Sequence, residues 1–151
     1  ILMSIISIDL VWKIENGNFL TEKYSNQHDI IFNSNTTIKG DSAPDWNGNE
    51  LNINPEQTLA ASLSSCHMMT FLALAAKMSW PVTSYRDKAI ATLGKNSKNK
   101  MSVIKIELSP KVEFSKDFNV NSSELKKVQD RAHRYCFIAN SLSDEVEVLV
   151  N

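Results

Sequence analysis

The chain has 151 residues, 42% of them hydrophobic and 22% charged, with 16 basic and 17 acidic side chains and a formal net charge of −1. That length suits one compact domain, 1–151, with a core of its own, and is short for two. Near-neutrality excludes the global positive field that recruits nucleic acid or an anionic membrane. Two cysteines, Cys66 and Cys136, are too few for a disulfide framework and point to a reducing compartment, the cytoplasm.

The first residues are apolar but lack a basic start, and Asp9 interrupts them, so no signal peptide is expected. Ile1 and Leu2 precede Met3, the expected initiator, and read as additions to the native sequence. From Ile6 to about Ile38 the pattern predicts an antiparallel meander: a strand over Ile6 to Ile14, a turn at Glu15 to Asn18, a strand over Phe19 to Tyr24, and a strand over His28 to Asn33 with Ile30 and Phe32 on one face. Lys39 to Asn54, rich in Gly, Asp, Asn and Pro and without periodicity, reads as a loop. Asn54-Pro55-Glu56 then supplies a helix start, with Asn as N-cap, Pro where a missing N–H costs nothing, and an acid in the first turn.

That helix is expected to run to about Met78 and to be stopped by Pro81. Leu59, Leu63, Cys66, Thr70, Leu74 and Met78 recur at three to four residues and predict its buried face. Met68 to Ala76 is apolar all round and should be enclosed on every side, yet is too short to span a bilayer, so no transmembrane helix is expected. Strands are predicted over Val82 to Leu93 and Met101 to Leu108, joined by the polar turn Gly94 to Lys100, and again over Val112 to Phe114. A second helix starts near Asn121 to Glu124, with Leu125, Val128, Ala132, Tyr135, Cys136 and Ala139 as its inner stripe, and Glu145 to Val150 closes the chain as a strand. Two groups of strands, each followed by a helix, define an α+β domain with mostly antiparallel sheet.

Each cysteine thus falls on the inner stripe of its own helix, which leaves several readings open. Free cysteines commonly serve as small core hydrophobes. A redox pair needs a thiolate, and a thiol of pKa about 8.5 is only slightly ionised at neutral pH, so a cation or donor must lower it. Cys66 lies about three turns into its helix, beyond the reach of the helix dipole, so that donor must be a tertiary neighbour. A metal site of Cys66, His67, His133 and Cys136 is hampered because adjacent helical residues point about 100° apart. A hydrolytic Cys66–His133 pair has no visible oxyanion hole.

The run Asn54-Pro55-Glu56-Gln57-Thr58-Leu59-Ala60-Ala61-Ser62-Leu63-Ser64-Ser65-Cys66-His67 resembles the first cysteine helix of the OsmC/Ohr family of thiol peroxidases, and Arg131 to Leu142 resembles the second. Tyr24 to His28 and Ser42-Ala43-Pro44 are similar to segments of the OsmC-like branch, so the likeness spans nearly the whole chain. The resemblance implies an intertwined homodimer of α+β subunits, two central helices wrapped by mainly antiparallel sheets, with sites at the dimer interface. It implies reduction of a small, preferentially organic hydroperoxide, with Cys66 as peroxidatic thiolate, Cys136 as resolving thiol, and a dithiol or lipoyl-type reductant. It calls for no cofactor, metal, nucleic acid or membrane. Glu56 matches the acid that in the family orients a catalytic arginine; ten residues separate it from Cys66, about 15 Å along one straight helix, so the two would meet only across a dimer.

The family's arginine, within a Tyr-Ser-Arg-x-His stretch, is replaced here by Asn26. His28 is a candidate replacement cation. His28, Trp46, Met69, Phe71 and Phe137, with Met68, are candidates for an apolar substrate pocket, while His67 points to another helix face and reads as structural or as pocket wall. The loss of the arginine favours an alternative function, a non-catalytic relative that binds an apolar ligand or senses oxidants.

Overall fold

Alternating β-branched residues pair as a meander near the start of the chain: β1 (Asp9–Val11), β2 (His28–Asn33) and β3 (Thr36–Gly40) form an antiparallel sheet in the order β1-β2-β3. The computed structural model describes residues 3–14, 19–20 and 24–151, and the chain divides into two compact units, Ile1–Thr58 and Leu59–Asn151. The turn expected at Glu15 to Asn18 lies outside the described residues, as does most of the strand expected over Phe19 to Tyr24. A register shift between Ile31 and Asn33 interrupts the pairing, and Phe32, expected to share a face with Ile30, is 41% exposed there.

The segment after β3 is more ordered than its composition implied. Asp41 is buried, and its carboxylate accepts the Ser42 N–H at 2.8 Å, the Asn49 N–H at 3.1 Å and the Asn52 amide at 3.4 Å, gathering the loop around one anion. Burial works against that charge, but these hydrogen bonds outweigh it and hold the Asp41 carboxyl below its usual range. Gly48 passes so close to the chain that an added Cβ would sit 1.6 Å from the Ser42 carbonyl oxygen, so only glycine fits.

Helix α1 (Pro55–Lys77) begins as expected, and Asn54 does more than cap it. Its Oδ1 accepts the Gln57 N–H at 2.9 Å, and its own N–H donates to Gln57 Oε1 at 3.1 Å, a reciprocal capping box built from Asn and Gln. The buried stripe is Ala60, Leu63, His67, Phe71 and Ala75, one residue round from the predicted face. The prediction followed Leu59, Leu63 and Leu74, whereas the packed face combines Leu63 and Phe71 with alanines, which let neighbours approach, and with His67, whose Nε2 is paired with Gln129. Met69 is 58% exposed and Ala73 and Ala76 are exposed, so the apolar second half is not enclosed within the chain. With 23 residues and a mean hydropathy of 1.5 over its most apolar window, α1 is long and apolar enough to cross a membrane, contrary to the count from Met68 alone.

In the second unit, the predicted strand over Val82 to Leu93 is two strands, β4 (Val82–Arg86) and β5 (Ile90–Lys95), which enter different sheets. Asp87 is the cause: its carboxylate takes the Ser109 N–H at 2.6 Å and the Ser64 hydroxyl, so the chain bends where these anchors hold it. β4 pairs antiparallel with β7 (Lys111–Phe114), and β5 pairs antiparallel with β6 (Met101–Leu108) through the polar hairpin turn. β8 (Glu147–Val150) joins β6 in parallel. Helix α2 (Ser122–Tyr135) is capped by Asn121, whose Oδ1 accepts the Glu124 N–H at 2.8 Å. Two apolar clusters result: Leu63, Ile106, Leu108 and Cys136, and beyond them Phe71, Ala75, Val128 and Ala132. The fold is α+β, as predicted.

Candidate functional site around Cys66 and Cys136

The second cysteine does not lie within a helix. α2 ends at Tyr135, and Cys136 is extended (φ −67°, ψ 118°), followed by a 3-10 turn over Ala139–Ser141. Leaving the helix frees the backbone N–H groups of residues 137 and 138 from intrahelical bonding, and both favour the ionised form of Cys66. The turn is held by hydrogen bonds from Asn140 N–H to the Cys136 carbonyl at 3.1 Å and from the Ser141 hydroxyl to the Phe137 carbonyl at 2.8 Å.

Both cysteines are free thiols in one apolar cluster, with Cys136 fully buried and Cys66 half-buried and packed against it. Burial disfavours ionising Cys66, but the Ile138 N–H, the Cys136 thiol, the Phe137 N–H and the Thr70 hydroxyl together outweigh it and hold the Cys66 thiol below its ordinary value. Burial dominates at Cys136 and, helped by its bond to Cys66 and the charge there, pushes that thiol up to about 11 against the opposing Ala139 N–H, 3.4 Å from the sulfur. One thiol is poised to ionise and the other to keep its proton, the division of labour a nucleophile and its partner require. The activating donors are two backbone amides, the Cys136 thiol and the Thr70 hydroxyl; among the described residues no arginine contributes.

Beside Cys66 opens a cavity of about 600 Å³, lined along α1 by Met69, Thr70, Ala73, Leu74 and Lys77, and across from it by Arg131, Tyr135 and Phe137. Of the candidate pocket residues, Met69 and Phe137 line this cavity. Phe71 does not: fully buried, it packs on Tyr85 with ring centroids 5.7 Å apart, because it lies two residues past Met69 and therefore on the other side of the helix. Met68 is half-buried and outside that lining. Trp46 sits in a 3-10 turn of the first unit, 51% exposed. In the same unit, His28 donates from Nδ1 to the Asn26 carbonyl at 2.7 Å and lies over Gly40, where an added Cβ would be 2.4 Å from Nε2. The Asn26 amide, at the arginine's position, donates to the Ser42 hydroxyl at 3.4 Å.

Glu56 stands in the first turn of α1, with its Oε2 buried and without a hydrogen-bond partner among the described residues. His67 points away from the sulfurs, is fully buried, and its Nε2 lies 2.6 Å from Gln129 Oε1, a structural role. Burial lowers its affinity for a proton, and the nearby His133 adds to this, while Gln129 and Asp87 oppose it. What the sequence did not disclose is the donor set on Cys66: Thr70 was visible only as a stripe residue, and backbone amides carry no residue signature.

An α+β chain with facing cysteines, one ending a helix and one inside another, defines the OsmC-like class, and the family model described as OsmC-like protein matches residues 48–151. The chain belongs to this family. It is similar to an OsmC-like protein of unknown function from Vibrio cholerae, with 39% identity, 99% of this chain and 100% of that one covered, and a TM-score of 0.90. Its fold is shared by an organic hydroperoxide resistance protein from Elizabethkingia anophelis, with 16% identity, 99% and 96% coverage and a TM-score of 0.73. It is shared too by the organic hydroperoxide resistance protein OhrB of Bacillus subtilis, with 13% identity, 97% coverage of both chains and a TM-score of 0.69. No curated protein matches the chain.

Proposed function

We propose that the protein is a thiol-dependent organic hydroperoxide reductase. The observation that carries this reading is the opposed pair of thiols: Cys66, held below its ordinary value beside an open apolar cavity, and Cys136, buried against it with its proton retained. The Cys66 thiolate attacks the distal peroxide oxygen; the O–O bond breaks, the alkoxide leaves and takes a proton to become an alcohol, and Cys66 becomes a sulfenic acid. The Cys136 sulfur then displaces water from that sulfenic acid as its own proton departs, forming a disulfide that a dithiol or lipoyl-type reductant restores. The names of two fold relatives, organic hydroperoxide resistance proteins, favour a peroxide with an organic group.

The working unit in this proposal is a homodimer. The exposed Met69, Ala73 and Ala76 on α1 are an apolar face for a second copy to cover. Glu56, with an unpartnered carboxylate oxygen, would serve the partner's site because about 15 Å of helix separates it from its own Cys66. A fully active monomer in sedimentation would exclude this arrangement.

The test is to treat the reduced protein with cumene hydroperoxide and follow thiols, intact mass and turnover with a dithiol. Rapid loss of both thiols with a mass fall of about 2 Da, abolished in Cys66→Ser, is the expected result. Slow oxidation of Cys66 to a sulfonic acid without a disulfide would favour the second reading, a ligand-binding or oxidant-sensing relative, for which Asn26 in place of the arginine speaks.

A further inference from the structure

Another cavity, of about 360 Å³, opens where the chain bends between β4 and β5, and it shares no lining residue with the one beside Cys66. Arg86, Asp87, Lys88, Ile90, Ser109 and Lys111 line it. Alternation along the strands turns its cations outward. Tyr85 and Val112 pack against the cluster around Phe71, so Arg86 and Lys111, their neighbours on β4 and β7, are exposed. Ala89 packs against the cluster around Leu63, and Lys88 and Ile90 on either side of it are exposed as well. Arg86 stands directly opposite Lys111 in the register of β4 and β7, which sets two like charges on Cβ atoms about 5 Å apart. Lys88 follows Arg86 by two residues, at most about 7 Å of chain.

Like charges opposed across a ladder destabilise it unless something compensates them. Among the described residues the ion pairs are Lys39–Asp29, Lys105–Glu107 and Lys126–Asp130, so Arg86, Lys88 and Lys111 enter none. The acids nearest in register are committed elsewhere: Glu113 accepts from the Ser84 hydroxyl at 2.8 Å, and Glu107, opposite Ile90, is held by Lys105 at 3.3 Å. Asp87 uses one oxygen on the Ser109 N–H at 2.6 Å and the other on the Ser64 hydroxyl. The Ser109 hydroxyl accepts from the Asn151 amide at 3.4 Å and has a proton of its own to donate into the cavity. Three cations against one committed carboxylate leave two positive charges in excess. That is the complement of a phosphate monoester, which carries close to two negative charges at neutral pH.

We propose that Arg86, Lys88 and Lys111, with the Ser109 hydroxyl, bind the phosphoryl group of a small phosphate monoester whose apolar part lies on Ile90. Arg86 offers the planar fork that matches two phosphate oxygens, and the lysines supply point charges. Ile90, 46% exposed in the same cavity, gives an apolar substituent a surface to cover. The bound anion also offsets the repulsion between Arg86 and Lys111, so it stabilises the pairing of β4 with β7. The site is separate from the thiols and does not rest on the peroxidase reading.

The experiment titrates the reduced protein calorimetrically with phenyl phosphate and with inorganic phosphate, at constant ionic strength, in the wild type, R86Q/K111Q, K88Q and R86K/K111R. Phenyl phosphate is expected to bind more tightly than inorganic phosphate. Its affinity should fall about tenfold or more in R86Q/K111Q, the worth of one charge-assisted contact, and persist in R86K/K111R. K88Q, outside both ladders, should lose affinity severalfold and keeps the test readable if the double variant folds poorly. Phenyl phosphate should also raise the urea midpoint of the wild type and leave that of R86Q/K111Q unmoved. No binding of phenyl phosphate, binding no tighter than that of inorganic phosphate, or an affinity indifferent to R86Q/K111Q and K88Q overturns the site. So does binding of phosphatidate vesicles or of a DNA duplex by a protein that ignores phenyl phosphate, which would make the patch a surface for polyanions.

Discussion

Cys66 and Cys136 pack in one apolar cluster and yet are driven in opposite directions by their surroundings, Cys66 toward the thiolate and Cys136 away from it. The asymmetry comes from the turn that ends α2. It presents the amides of Phe137 and Ile138 to one sulfur and buries the other.

Replacing either thiol should therefore have different consequences. Cys66→Ser should abolish turnover of cumene hydroperoxide, whereas Cys136→Ser should still form the sulfenic acid, seen as a mass gain of about 16 Da, but stall without a disulfide and then over-oxidise. Intact-mass spectrometry after stoichiometric peroxide checks both.

Alkylation of the two thiols should titrate apart, with Cys66 reacting at pH values below the ordinary thiol range and Cys136 only near pH 11. The effects on stability have opposite signs. The lowered Cys66 value makes the unfolded chain bind more protons below 9.0, so its contribution is present above that pH and lost as pH falls through the folded value. The raised Cys136 value makes the native chain hold its proton longer, so its contribution is present below 9.0 and lost as pH rises to about 11. Urea midpoints of the reduced protein should decline from pH 9 to about 11, and that decline should flatten in Cys136→Ala.

His67 and Gln129 bury a polar pair, and His67→Leu would leave the Gln129 amide, 6% exposed, without its partner. The expected cost is about 1–3 kcal/mol, partly recovered in His67→Leu/Gln129→Leu, where no polar group is stranded. Denaturant titration measures both. Because burial lowers the His67 pKa, the unfolded chain binds the extra proton, and the wild type should lose stability as pH falls below 6.5, a slope absent from His67→Leu.

Gly48→Ala should be destabilising by roughly 1–3 kcal/mol, since its Cβ would overlap the Ser42 backbone and the loop around Asp41 would have to open. Gly40→Ala meets only the His28 ring, a movable side chain, and should cost less. Thermal unfolding of the two variants gives the ranking.

Much of the architecture was legible because its signals are local. The N-cap at Asn54, the extents of β2 and β6 and the start of α2 follow from capping chemistry and periodicity within a few residues. The break at Asp87 was not, because it depends on bonds to Ser64 and Ser109, more than twenty residues away. The buried face of α1 was misplaced by one residue for a similar reason: which side of an apolar helix is packed depends on what arrives against it, and here Phe71 meets Tyr85 and His67 meets Gln129.

The two cysteines divide the same way. Their number, the helix that carries Cys66 and the family likeness were legible in the sequence alone, whereas Cys136, expected on the second helix, stands just past its end. Their difference in acidity was settled by the tertiary structure, because it arises from burial and from backbone amides released where α2 ends, and neither depends on residue type. The sequence shows an arginine missing at Asn26; only the folded chain shows which donors stand at the sulfur instead.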